Sequence, residues 1–189
     1  SRPFSIDRRG FVISEGAGCL IATTEAFARR NGLSCDIALA GWSMTSDAQH
    51  FVAPNLATVT RCIAEAIADA GLQPADVDAV NAHGTSTRIG DMVEAQALAQ
   101  IFGHRPPPVS ANKSMTGHAM GASSAIETIL AIEGMQRGQL LPTINHTPDP
   151  ALILDVVAEG LRSKEQEFVL KNAFGFGGCN ACIILQRQG

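Results

Sequence analysis

The chain has 189 residues, a formal net charge of −4, and 46% hydrophobic against 17% charged residues, which suits one substantial core or two small ones and argues against a disordered chain. Without long Lys/Arg runs it offers no broad footprint for nucleic acid, and no apolar run approaches the ~20 residues needed to span a bilayer. Its five cysteines (Cys19, Cys35, Cys62, Cys179, Cys182) are odd in number and scattered through apolar segments, as in reduced thiols, so a cytoplasmic protein is expected.

In chain order, Phe11 to Thr24 is rich in β-favouring residues, and Cys19-Leu20-Ile21-Ala22 reads as a buried strand leading to a short helix, Glu25 to Arg30, closed by Asn31-Gly32. Ile37 to Ser43 reads as the next strand, followed by a polar loop from Thr45 to Pro54. Val59, Ile63, Ile67 and Ala70 recur at helical spacing, with Asn55 as cap and Gly71 as stop. Val77 to Ala82 is a short strand ending at His83. A second helix carries Val93, Ala97, Leu98, Ile101 and Phe102, and Gly103 closes it.

Pro106-Pro107-Pro108 then leads into the strand Val109 to Ala111. A helix over about Ala122 to Gln136 is expected to bury Ala125, Ile126, Ile129 and Leu130. Phe168 to Ala173 and Cys182 to Gln186 read as strands flanking Phe174-Gly175-Phe176-Gly177-Gly178. Alternating strands and helices with a terminal strand pair predict an α/β layered fold with a mixed sheet.

Two histidines stand out. His83 follows a strand in Ala82-His83-Gly84-Thr85-Ser86-Thr87, and His118 repeats the arrangement in Lys113-Ser114-Met115-Thr116-Gly117-His118. A strand exit, a flanking glycine and a following helix start favour a neutral ring, which donates one N–H to a developing oxyanion. Either one alone reads as structural; the pair reads as functional. Lys113 and Glu127, judged on spacing, read as surface charges. The Phe174–Gly178 turn reads equally as an oxyanion-binding turn or a tight β connection. It is not a dinucleotide fingerprint, since a strand follows it. Cys179 and Cys182, three apart on a strand, point to opposite faces and make no metal site.

These motifs, together with Arg2-Pro3-Phe4, Gly10-Phe11-Val12, Glu15-Gly16-Ala17-Gly18, Ser46-Asp47-Ala48, Gly90-Asp91 and Asn172-Ala173, resemble in order the C-terminal part of the β-ketoacyl-acyl-carrier-protein synthases of the type II class. The resemblance implies a thiolase-like fold, a layered αβαβα sandwich, of which this chain supplies mainly the C-terminal half. Residues 1–45 would be the last strands of the N-terminal half and residues 46–189 the C-terminal half. It further implies a decarboxylative Claisen condensation of an acyl thioester with malonyl carrier protein.

By position, the resemblance makes His83 and His118 the pair that binds the malonyl thioester carbonyl, with Lys113 and Glu127 as its supporting charges. Thr85 and Thr87 match hydroxyls along the phosphopantetheine arm, which is carried by the acyl carrier protein and is not a bound cofactor. The Phe176 amide matches one oxyanion donor and its ring an acyl-pocket gate, with Phe174 beside it and Asp47 on a loop that moves with it. Nothing in the sequence matches the nucleophilic cysteine, which the family carries upstream. With Ser1 in place of an initiating Met, this predicts a piece of a longer polypeptide, inactive alone, with apolar surface exposed where the other piece belongs. The expected partners are that piece, the acyl carrier protein and a second full-length copy. The alternative is a non-catalytic chain-length or initiation subunit of a ketosynthase heterodimer.

Overall fold

The computed structural model describes residues 1–158 and 160–188. In chain order the elements are α1 (Glu25–Arg30), β1 (Ile37–Ser46), α2 (Leu56–Asp69), β2 (Ala79–Asn81), α3 (Arg88–Phe102), β3 (Val109–Ser110), α4 (Lys113–Thr116), α5 (Ser123–Arg137), β4 (Gln139–Leu140), β5 (Arg162–Ser163), β6 (Phe168–Gly175) and β7 (Cys179–Arg187). Among the described residues five strands form one sheet in the order β1-β7-β6-β2-β3, and β4 and β5 form a small separate pair. β1, β7 and β6 run antiparallel, whereas β6, β2 and β3 run parallel. The sheet is therefore mixed, as the terminal strand pair predicts.

Side chains alternate across a strand, so each face of the sheet needs its own cover. One face packs with α2 and α3 around Val59, Ile63, Ile67, Val80, Leu98, Val109, Leu170 and Ile184. The opposite face packs with α5 around Ala79, Ala131, Met135, Val169 and Leu185. Asn55 caps α2 as expected, its side-chain oxygen accepting from the Ala57 amide at 2.9 Å.

Three expectations need correction. Residues 19–22 are not a buried strand: the segment is irregular and exposed, Ile21 at 94%. The glycines just before it, Gly16 and Gly18, bring the backbone onto α5, where a Cβ on Gly18 would lie 2.8 Å from that of Ala125. α5 does not bury Ala125, Ile126, Ile129 and Leu130 deepest; its buried residues are Ser123, Glu127, Ala131, Gly134 and Met135, because the side facing the sheet must meet a buried lysine. β7 begins at Cys179 rather than Cys182, its first residues pairing with both Ser46 and Gly175. β1 itself runs through residues 45 and 46 and pairs with β7 over its whole length. β1 therefore belongs to the same sheet as the elements that follow it.

Candidate active site

The first histidine loop is shaped by two acids on the first turns of α3. Asp91 and Glu94 lie three residues apart and so share a helix face. Glu94 accepts the amide protons of His83 on Oε1 and Gly84 on Oε2, both at 2.8 Å. Asp91 accepts from Ser86 on Oδ1 at 3.0 Å and from Phe4 on Oδ2 at 2.7 Å. These bonds hold left-handed backbone at Gly84 (φ 43°) and at Ser86 (φ 69°), the latter a conformation that costs energy for a residue with a Cβ. Burial pushes the Asp91 carboxyl up to about 7, against the pull of the Phe4 amide.

β3 and the residues after it deliver Lys113 to the first position of α4. Its side chain is fully buried, as is that of Glu127, which overturns the surface reading of these charges. The reason is tertiary: Glu127 lies on the inner side of α5, so the carboxylate meets the ammonium under the His83 loop. Lys113 Nζ donates to Glu127 Oε1 at 2.5 Å and to the His83 carbonyl at 2.6 Å, and lies 3.4 Å from His83 Nδ1. An ammonium has no lone pair, so Nδ1 is the acceptor and the ring proton resides on Nε2.

His118 reaches the same tautomer by neutral means. Its Nδ1 accepts the amide proton of Met120 at 3.2 Å and lies 3.1 Å from Ser123 Oγ, which itself accepts from the Ala119 amide at 2.9 Å. A 3₁₀ turn, Met120–Ala122, separates His118 from α5 along the chain, and the ring meets both this turn, at Met120, and the first residue of α5, Ser123. The His118 backbone is fixed by bonds with Val12 and Ser14, and Phe11 packs edge-on against the ring at 5.0 Å.

The two imidazoles converge. Their centroids are 5.7 Å apart at an interplanar angle of 84°, and Phe174 packs 5.7 Å from His83. Burial, then Lys113, Lys171 and His118, hold His83 well below the usual histidine value. Burial and Lys113 lower His118, while Glu127 opposes them. Two neutral rings thus present Nε2–H donors from adjacent loops, a pairing suited to one developing negative oxygen.

Residues 37–147 match the family described as "Beta-ketoacyl synthase, C-terminal domain". The chain belongs to the β-ketoacyl synthase family. It is 41% identical to 3-oxoacyl-[acyl-carrier-protein] synthase 2 of Mycobacterium bovis over 98% of this chain and 45% of that protein. It is 38% identical to the protein of that name in Coxiella burnetii, over 99% of this chain and 46% of the relative. The chain therefore spans a little under half the length of these relatives. Among solved structures, the ishigamide ketosynthase/chain length factor superposes with a TM-score of 0.96 at 38% identity, covering 100% of this chain and 47% of that one. A type II polyketide ketosynthase described in complex with its acyl-carrier protein gives 0.95 at 34% identity, again over 100% and 47%. The fold is thus the thiolase-like α/β fold of ketosynthases, and the chain corresponds to the C-terminal half of these larger proteins.

Within this ketosynthase fold the remaining expected residues are dispersed. Thr85 and Thr87 follow His83 with their hydroxyls 2.9 Å apart, and Thr87 also caps α3 through the Gly90 amide at 3.1 Å. Phe176 sits exposed on the glycine turn, its ring 5.9 Å from that of Phe51. Asp47 lies buried beneath the turn, accepting from Asn55, Thr58 and Asn180 while its amide donates to the Gly178 carbonyl at 2.8 Å. It ties the 47–55 loop to the turn. Among the described residues no group of three or more His, Cys, Asp and Glu could hold a metal ion, and no helix is long and apolar enough to cross a membrane.

Glu94 and Lys171 are site residues that the sequence does not single out, and Asp91 and Asn172 enter there only as parts of the family motifs, with no role assigned. Asn172 Nδ2 donates to Glu94 Oε1 at 3.0 Å, and Lys171 Nζ donates to Glu127 Oε2 at 2.8 Å. The available signal was Lys171-Asn172, two polar residues interrupting the otherwise apolar run Phe168 to Phe174.

Proposed function

We propose that this chain is the C-terminal part of a β-ketoacyl-acyl-carrier-protein synthase, with its nucleophilic cysteine upstream and its last half beginning at β1. The cysteine thiolate takes an acyl group from its carrier thioester. Malonyl carrier protein then enters with its thioester carbonyl at the Nε2–H groups of His83 and His118. As the bond to the malonyl carboxylate breaks, carbon dioxide leaves and its electron pair passes into an enolate whose oxygen the two N–H groups hold. The enolate carbon attacks the acyl thioester, the Phe176 amide helps to hold the tetrahedral oxyanion, and the cysteine sulfur departs.

The single observation carrying this reading is the convergence of two rings whose Nδ1 atoms are both already engaged. Thr85 and Thr87 are proposed to line the pantetheine arm, Phe174 and Phe176 the acyl side, and Asp47 to anchor the neighbouring loop. The other half of the protein would cover the outward side chains of β1, Leu39, Trp42 and Met44, each more than half exposed. The working form is proposed as a cytoplasmic homodimer that receives its substrates from an acyl carrier protein. The non-catalytic partner-subunit reading is weaker, because such a subunit has no use for two engaged histidines.

The test is release of carbon dioxide from malonyl carrier protein by the intact protein. His83→Ala and His118→Ala should each lower it at least about a hundredfold, and residues 1–189 alone should give no condensation. Undiminished release in both variants, or turnover by the isolated chain, would contradict the proposal.

A further inference from the structure

β6 carries two consecutive polar residues through the centre of the sheet, and both are buried. Because their side chains leave on opposite faces, each reaches a different acid. Asn172 holds Glu94, which fixes the His83 and Gly84 amides. Lys171 goes the other way, to Glu127 on α5, and also donates to the Asn172 carbonyl. The Glu127 carboxylate is therefore bridged, with Lys113 on Oε1 and Lys171 on Oε2. One ammonium already pairs this carboxylate. A second buried ammonium must be desolvated without an acid of its own, a cost that packing alone does not explain.

We propose that Lys171 is a positioning residue of the histidine site: by holding Oε2 of Glu127 it fixes the plane of the carboxylate that presses Lys113 against His83, and it adds a second buried positive charge beneath the oxygen held there. The proposal rests on the ketosynthase reading only for the identity of that oxygen. The charged and titratable groups around His83 are Lys113 on α4, Glu127 on α5, Lys171 on β6, Glu94 on α3 and His118 on its own loop. Within this set, burial brings the Lys113 ammonium down to about 8, Glu127 opposes that, and Lys171 repels it further. A Lys171 that only packs would leave the rate and its alkaline limb where they are once the fold is intact.

The experiment uses the intact protein and follows Lys113 Nζ by NMR titration beside the pH profile of malonyl decarboxylation. Lys171→Met should raise the Lys113 midpoint by roughly half to one pH unit, move the alkaline limb with it, and lower the rate at neutral pH roughly tenfold through loss of alignment. Lys171→Arg should restore both. Lys171→Gln, which keeps a hydrogen-bond donor and drops the charge, gives the same titration readout should the methionine variant fail to fold. An unmoved Lys113 midpoint in the uncharged variant, or an equal rate loss in the arginine and methionine variants, would overturn the proposal. Failure of His83→Ala to affect decarboxylation would instead overturn the reaction assigned to the site. The Lys113 titration reads out independently of that result.

Discussion

The two histidine loops reach one tautomer by opposite means. The His83 loop is built from charge: Glu94 takes two backbone amides, Lys113 occupies Nδ1 from below, and Glu127 and Lys171 complete a fully buried ionic cluster. The His118 loop is built from neutral groups, the Met120 amide and the Ser123 hydroxyl, at a half-buried position. A donor pair therefore does not need matching supports, only that both Nδ1 atoms be occupied. The difference lies in fragility, because buried charged bonds cost far more to break than neutral ones with a spare partner.

The contrast breaks most sharply at Glu94. Glu94→Gln places an amide NH₂ against one of two backbone N–H donors that need an acceptor. Chemical denaturation of the intact protein should show a loss of about 2–4 kcal/mol, and decarboxylation should fall more than about tenfold. The matching change on the other side is mild. Ser123→Ala removes one of two Nδ1 contacts and leaves the Met120 amide in place, so the same assays should show about 0.5–1.5 kcal/mol and a rate loss of only a few-fold. Equal losses in the two variants would erase the distinction between the loops.

Local patterns made the frame of this contrast legible. Asn55 and Gly71 bound α2 in the sequence as they do in the structure, and the glycine-flanked histidines at strand exits lead directly to the paired rings. The supports were harder to see, because each depends on long-range packing. Glu94 is eleven residues from His83 and meets it only because α3 returns alongside the loop. Lys171 and Glu127 lie 44 residues apart along the chain, with the rest of α5 and the β4–β5 pair between them. Apolar periodicity marks Ile126 and Ile129 as the inner side of α5, whereas the packed helix turns Glu127 inward to a cation. The run from Cys19 to Ala22 is apolar enough for a buried strand, yet strand formation requires a partner strand, which no short window of sequence reveals.

Acidification tests both loops together. Each ring is held below the usual histidine value, so in the acid range an unfolded chain takes up protons that the folded chain refuses, and stability falls as the pH falls. His83, more deeply held down by burial and two lysines, should resist longest. The most direct measurement is NMR titration of ¹⁵N-histidine-labelled intact protein. At about pH 7 both rings should carry their proton on Nε2 with Nδ1 bare, and on acidification His118 should charge before His83. A proton on Nδ1 of either ring at neutral pH, or His83 charging first, would contradict the account.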